Sequence, residues 1–125
     1  MPSQENFMDF EDGLIGGKIE SAKPEEKDTC PFGIIGFDEN GIIREYNRTE
    51  SENSGYSKEF ILNKHLFLDV APCMNNYLVA LKFDEKKEFD ETIPYILSLK
   101  VKPIKVELRL IKNERLQLNY VLIKR

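Results

Sequence analysis

The stretch Asp69-Val70-Ala71-Pro72-Cys73-Met74, together with Glu45-Tyr46-Asn47-Arg48-Thr49-Glu50 upstream of it, decides the fold of this chain. The first stretch places Cys73 after a proline and before a helix-like segment, where nearby amides carry partial positive charge that favours the nucleophilic thiolate. The second places Tyr46 and Glu50 four residues apart, so a bend of the chain brings their polar ends onto one atom. The three side chains predict a pocket that holds a charged aromatic ligand on sulfur.

Taken singly, each of these residues is commoner in a structural role. A cysteine such as Cys73 is most often a small buried hydrophobe. A tyrosine at the end of a strand usually caps the core with its ring, and a glutamate at the start of a helix favours the helix dipole. The prediction of a site therefore depends on the combination of Cys73, Tyr46 and Glu50 within one small domain.

Composition restricts the class of protein. The chain has 125 residues, 41% of them hydrophobic and 32% charged, which predicts one compact domain. A net charge of -4 gives no basic surface for nucleic acid or anionic membrane. No apolar run approaches the roughly 20 residues of a membrane-spanning helix, and residues 1–6 lack the basic start of a secretory signal. We expect a cytoplasmic protein in which Cys30 and Cys73 are thiols unless one is modified.

The first 28 residues differ in amino-acid composition from the rest of the chain. Their apolar residues lie in an acidic context interrupted by glycines, which predicts short helical turns that dock on the main domain. The polar stretch Glu20–Asp28 contains a proline and is typical of a connector. We therefore predict an N-terminal cap and connector over residues 1–28 and the main domain over residues 29–125.

The main domain begins with a predicted hairpin. Phe32–Phe37 is a strand candidate, and Ile42–Tyr46 forms the returning strand. Asn40-Gly41 between them favours a tight turn in which both central residues have positive φ.

Short helices are predicted next. Thr49, with Glu52 three residues on, fits a capping box, and Ser57 precedes an apolar run, so two helices of one or two turns are expected. A third helix follows from apolar residues near helical spacing, which are Tyr77, Leu78, Leu81 and Phe83. The charged run over residues 84–88 predicts a solvated surface.

The last third of the chain alternates between apolar and polar residues, which is the period of a strand. Three segments show it, over residues 95–101, 104–110 and 116–122, with a turn at Asn113-Glu114. The whole pattern predicts an α+β domain with about five antiparallel strands and short helices between the second and third.

The chain resembles the photoactive yellow proteins, which have the Per-Arnt-Sim (PAS) sensor fold. The likeness runs without a gap from Phe32 to Cys73 and resumes over residues 101–106 and 120–125. Its specific part is the run Asp-Val-Ala-Pro-Cys at residues 69–73, with Tyr46 and Glu50 at the matching upstream spacing. The resemblance implies a PAS fold with an N-terminal cap.

The resemblance also implies a function, that of a blue-light photoreceptor and not an enzyme. Cys73 would carry p-coumaric acid as a thioester, and Tyr46 and Glu50 would hydrogen-bond its phenolate oxygen, with Ser54 supporting Tyr46. Burial and the neighbouring anion would raise the pKa of Glu50 and keep it protonated. Light would isomerise the chromophore, Glu50 would pass its proton to the phenolate, and the cap over residues 1–28 would rearrange.

Further pocket residues follow from the same resemblance. Tyr56 lies where an arginine covers the pocket in familiar members, and Met74 replaces a smaller polar residue. The residues expected to line the cofactor site beside the four named above are Ile35, Tyr56, Leu66, Val70, Ala71, Pro72, Met74, Leu97, Leu99 and Val101. His65 has no companion to complete a metal site, and Asp69 is expected to cap backbone amides.

Two other functions stay open at this point. One is a PAS module that binds a different small ligand or a protein and never acquires the chromophore. The other is a thiol enzyme with Cys73 as nucleophile, although no histidine base accompanies it. A photoreceptor of this size lacks an output domain, so we expect a downstream signalling protein or a homodimer as the partner.

Overall fold

The computed structural model of the protein describes residues 8–98 and 102–125. Five strands form one antiparallel sheet in the order β2-β1-β5-β4-β3. The strands are β1 (Gly33–Phe37), β2 (Ile43–Tyr46), β3 (Phe89–Leu97), β4 (Ile104–Lys112) and β5 (Asn119–Lys124). The predicted α+β architecture is confirmed.

Short helices surround the sheet. They are α1 (Ile15–Ser21), α2 (Pro24–Asp28), α3 (Arg48–Ser54), α4 (Lys58–Ile61) and α5 (Ala80–Glu85). A π-helical turn, Leu66–Val70, and a 3-10 turn, Pro72–Met74, lie between α4 and α5. The predicted connector thus contains a helix, which Pro24 begins because its fixed φ suits the first helical position.

The turn between β1 and β2 differs from the prediction. Gly41 has a φ of 84°, but Asn40 does not have positive φ. The Asp38 carboxylate accepts hydrogen bonds from the amides of Asn40 (2.9 Å) and Ile42 (3.0 Å). Because Asp38 satisfies these amides, the turn needs a left-handed residue at one position only.

The start of α3 also corrects a prediction. Asn47, and not Thr49, caps this helix, because its Oδ1 atom accepts from the Glu50 amide at 3.1 Å. The Thr49 hydroxyl instead donates to the carbonyl of Cys30. The prediction for α4 is confirmed, since Ser57 accepts from the Phe60 amide at 3.2 Å.

The helix predicted after Cys73 is shorter and faces differently. The Asn76 side chain accepts from the amides of Leu78 and Val79 and holds a turn before α5. Of the four apolar residues from which this helix was predicted, Phe83 is buried, whereas Tyr77, Leu78 and Leu81 are exposed. The run over residues 84–88 is solvated, as predicted. In the last predicted strand, Leu116 and Leu118 precede β5, which starts at Asn119.

Apolar clusters cover both faces of the sheet. On one face, α4, α5 and the two short turns pack over Ile35, Phe37 and the inward residues of β4 and β5. On the other face lies the N-terminal segment, with Met8, Phe10, Ile15 and Ile19 against a cluster made of Cys30, Phe32, Ile34, Ile111, Tyr120 and Leu122. β1 is therefore buried on both faces, with alternate residues in the two clusters. We call residues 8–21 the cap.

Candidate functional site

The centre of the site is a pair of buried hydroxyls. Tyr46, at the end of β2, lies 2.5 Å from Ser54 at the end of α3, measured between the two hydroxyl oxygens. The amide of Tyr56 donates to the Ser54 oxygen at 3.1 Å. Burial raises the pKa of Tyr46, the Ser54 hydroxyl offsets part of the rise, and the nearby Glu50 charge adds to it. Tyr46 is therefore held as a neutral phenol that can donate a hydrogen bond.

Glu50, in the first turn of α3, is fully buried and makes an ion pair. Its Oε1 and Oε2 atoms accept from the two terminal nitrogens of Arg125, at 2.6 and 3.2 Å. Burial raises the pKa of Glu50, and the Arg125 guanidinium offsets part of that rise. A Cβ atom on Gly33 would lie 2.1 Å from Glu50 Oε1, so β1 needs a glycine where this carboxylate passes over it.

Asn47 fixes the helix that carries Glu50 and Ser54. Its Oδ1 atom accepts from the amide of Ile34 at 2.9 Å, as well as from that of Glu50. Its Nδ2 atom donates to the carbonyls of Lys27 (2.8 Å) and Phe32 (3.1 Å). One buried amide thus ties α3 to β1 and to the end of α2, because it satisfies backbone groups from all three.

Cys73 lies half-buried in the 3-10 turn and packs against the apolar cluster that contains Tyr46. The Tyr95 hydroxyl on β3 donates to its carbonyl oxygen at 2.5 Å, and the Asn76 amide donates to the same oxygen at 3.2 Å. Asn76 also donates to the Tyr95 hydroxyl at 2.8 Å. These three bonds fix the backbone of Cys73 on the sheet, and the thiol is free.

The structure brings most of the predicted lining residues together. Six are buried in the cluster that contains Tyr46, and these are Ile35, Leu66, Val70, Ala71, Met74 and Leu97. Tyr56 is half-buried at its edge and stacks on Phe60 with ring centroids 5.6 Å apart. Pro72 is exposed and does not line the interior. Leu99 and Val101 lie outside the described residues.

His65 and Asp69 both accept hydrogen bonds from backbone amides at the π-helical turn, which was predicted for Asp69. The His65 Nδ1 atom accepts from the amides of Phe67 and Leu68, so His65 caps the π-helical turn. Asp69 accepts from the His65 amide at 3.0 Å. Within residues 8–98 and 102–125, no group of three or more His, Cys, Asp and Glu side chains could hold a metal ion. The same described ranges contain no helix long and apolar enough to cross a membrane.

Sequence reasoning missed the roles of Arg125, Asn47, Gly33 and Tyr95. Arg125 is 75 positions from Glu50, and no local pattern links them. The role of Asn47 could have been predicted, because asparagine is a preferred N-cap residue and Asn47 comes directly before α3.

Known proteins match this chain in sequence and in fold. The profile of the PAS fold matches residues 27–114. The photoactive yellow protein of Rhodothalassium salexigens is 30% identical over 86 residues, which are 66% of this chain and 69% of that protein. The chain belongs to the photoactive yellow protein family. Its predicted membership of this family and of the PAS fold is confirmed.

Other members support the assignment. The photoactive yellow protein of Halochromatium salexigens is 24% identical over 110 residues, 86% of this chain and 88% of that one. The solved photoactive yellow protein domain of the sensor histidine kinase Ppr from Rhodospirillum centenum superposes with a TM-score of 0.81 at 27% identity. The match covers 89% of this chain and 100% of that domain. Family membership indicates a photoreceptor or sensor.

Proposed function

We propose that this chain is a blue-light photoreceptor in which Cys73 carries p-coumaric acid as a thioester. The proposal rests on one observation above the others, the packing of Cys73 against the buried cluster that contains the Tyr46 and Ser54 hydroxyl pair. That arrangement offers a nucleophile at the edge of the core and a neutral phenol within it. A covalently attached phenolic acid needs both.

The residues present fit such a group. Cys73 would hold its acyl end, on a backbone that Tyr95 and Asn76 keep in place. Tyr46 would donate to its phenolate, because the Ser54 hydroxyl can donate to Tyr46 in turn. When bound, the chromophore supplies a double bond that isomerises under light and a phenolate that accepts a proton.

Glu50 is the proton donor in this proposal. Burial raises its pKa and so favours the protonated form, while the Arg125 guanidinium acts in the opposite direction. Once it has lost that proton it is an anion in a low-dielectric site, which is costly unless a cation compensates it. The cap over residues 8–21, which packs on the opposite face of the sheet, is the element that we propose to respond.

We propose a signalling role for the chain and not an enzymatic one. The cap and the surface that it covers would contact a downstream signalling protein or a second copy of the chain. Nucleic acid and membrane are not proposed as partners, because the net charge is -4.

One observation favours a second function. Both carboxylate oxygens of Glu50 accept hydrogen bonds from Arg125, which satisfies Glu50 without any ligand. A PAS module that senses another small molecule, or binds a protein, could retain Glu50 for this ion pair alone. Cys73 would then be a core residue.

An absorption spectrum separates the two functions. The purified chain is mixed with activated p-coumaric acid, and its visible spectrum is recorded in the dark, under blue light and during recovery. We expect a blue-absorbing band that bleaches in light, returns in the dark, is lost in Cys73→Ala and is retained in Cys30→Ala. No band from a folded chain would refute the photoreceptor and favour the second function.

A further inference from the structure

Arg125 lies between the site and the cap. On one side its guanidinium binds Glu50 through two hydrogen bonds, and the Arg125 side chain is only 17% exposed. On the other side Arg125 lines a groove under cap residues Met8–Glu11, together with Pro31 and Phe32. Arg125 thus binds the buried carboxylate and borders the groove that cap residues Met8–Glu11 also line.

The cap side of this groove carries two acidic side chains, Asp9 and Glu11. Both residues are exposed. Glu11 is 3.8 Å from the Lys124 ammonium, and Asp9 lies in the electrostatic field of Arg109. While Arg125 is bound to Glu50, its positive charge is compensated by that carboxylate and contributes little to holding these acids.

We propose that Glu50 and the acids of the cap compete for Arg125. When Glu50 is neutral, the largely covered guanidinium has lost its counter-charge and turns to Asp9 and Glu11, which strengthens cap docking. When Glu50 is ionised, it takes Arg125 back and the cap loosens. Arg125 is therefore a positioning residue that converts the charge of Glu50 into cap affinity.

This mechanism rests on the proposed function, because light is what would ionise Glu50. It explains how the cap can respond to the charge of Glu50, although Glu50 lies on α3 and the cap packs on the other face of the sheet. The pair also lowers the cost of the buried anion, because a buried charge is tolerated when it is paired and hydrogen-bonded.

Hydrogen exchange of the full chain, without added chromophore, tests the competition. The protection of cap amides 8–21 is measured relative to those of β4 in the wild type, Glu50→Gln, Arg125→Gln and the double variant. Glu50→Gln imitates the neutral acid, and we expect it to raise relative cap protection about 2- to 5-fold, the range of an exposed ion pair. In the Arg125→Gln background the same change should have no effect.

Two further backgrounds complete the design. Lys124→Gln removes the neighbouring cation of the groove, and the rise caused by Glu50→Gln should persist there. Asp9→Asn with Glu11→Gln removes the competing charges at exposed positions, and asparagine keeps a side-chain oxygen that can accept from the Glu11 amide; the rise should vanish. If Arg125→Gln does not fold, the variant without the cap acids still tests the competition for Arg125.

The proposal is overturned if Glu50→Gln leaves relative cap protection unchanged or lowers it. It is also overturned if Glu50→Gln raises this protection equally in the Arg125→Gln background or in the background that lacks the cap acids. The measurement needs no chromophore, so its failure is distinct from a missing absorption band.

Discussion

Arg109 on β4 is a buried polar link between the cap and the sheet, and Glu20 of α1 makes a second one through hydrogen bonds from Gln117, Leu118 and Tyr120. Its Nη1 atom donates to the carbonyls of Phe10 (2.7 Å) and Asp12 (2.8 Å), and Asp90 binds the rest of the guanidinium at 2.7 and 2.8 Å. Only 6% of the residue is exposed. We predict that Arg109→Gln loosens the cap selectively, because both cap carbonyls lose a charged donor.

The magnitude follows from these contacts. A hydrogen bond to a charged group contributes about 1.5–3 kcal/mol, and two bonds that share one nitrogen are not additive, so we expect a loss of about 3 kcal/mol. Since each 1.4 kcal/mol is about tenfold, the cap should open roughly 100-fold more often. The cap has its own apolar cluster, so opening can be local and need not unfold the main core.

Native-state hydrogen exchange measures this opening. Amides of residues 8–21 should lose protection in Arg109→Gln, whereas those of β1 and β5, which the cluster on the other face of the sheet also holds, should change much less. Arg115→Gln is the matched control, because Arg115 is exposed and its substitution should stay within about 0.5 kcal/mol. Equal loss of protection in cap and core, or none in the cap, would refute the assignment of Arg109 as a link between them.

Two other predictions concern stability. Gly33→Ala should lower the free energy of unfolding by about 1–3 kcal/mol in urea titrations, because the new Cβ atom meets Glu50 Oε1 at 2.1 Å. Gly17→Ala, in α1 with no atom within 4 Å of the new Cβ, should be neutral or stabilising, and an equal loss in both variants would contradict the steric argument. Burial raises the pKa of the Cys30 thiol to about 11, so the folded state keeps its proton where the unfolded chain has lost it. The wild type should therefore lose stability relative to Cys30→Ala as pH rises from the usual thiol value toward 11, and parallel pH profiles of the two proteins would count against this role of Cys30.

Local patterns predicted the strands of the sheet unequally. The segment predicted over residues 95–101 overlaps β3 only from Tyr95 to Leu97, because β3 already begins at Phe89. The alternation in residues 104–110 predicted β4 because side chains of a strand point to opposite faces, and the observed strand spans Ile104–Lys112. Ser57 predicted the start of α4 for an equally local reason, since its hydroxyl binds an amide three residues on. The same kind of rule failed at Thr49, because the neighbouring Asn47 took the cap and Thr49 bonded to a distant carbonyl.

The site, like the fold, was predictable from the sequence in part only. The sequence by itself, through its resemblance to the photoactive yellow proteins, predicted that Cys73, Tyr46, Glu50 and Ser54 belong to one site in one domain. Only the tertiary structure decided that Glu50 pairs with Arg125, that Tyr95 holds the carbonyl of Cys73, and that the cap covers the far face of the sheet. The physical reason is distance along the chain. Propensity and periodicity act over a few residues, whereas contacts between distant segments are set by how the elements pack.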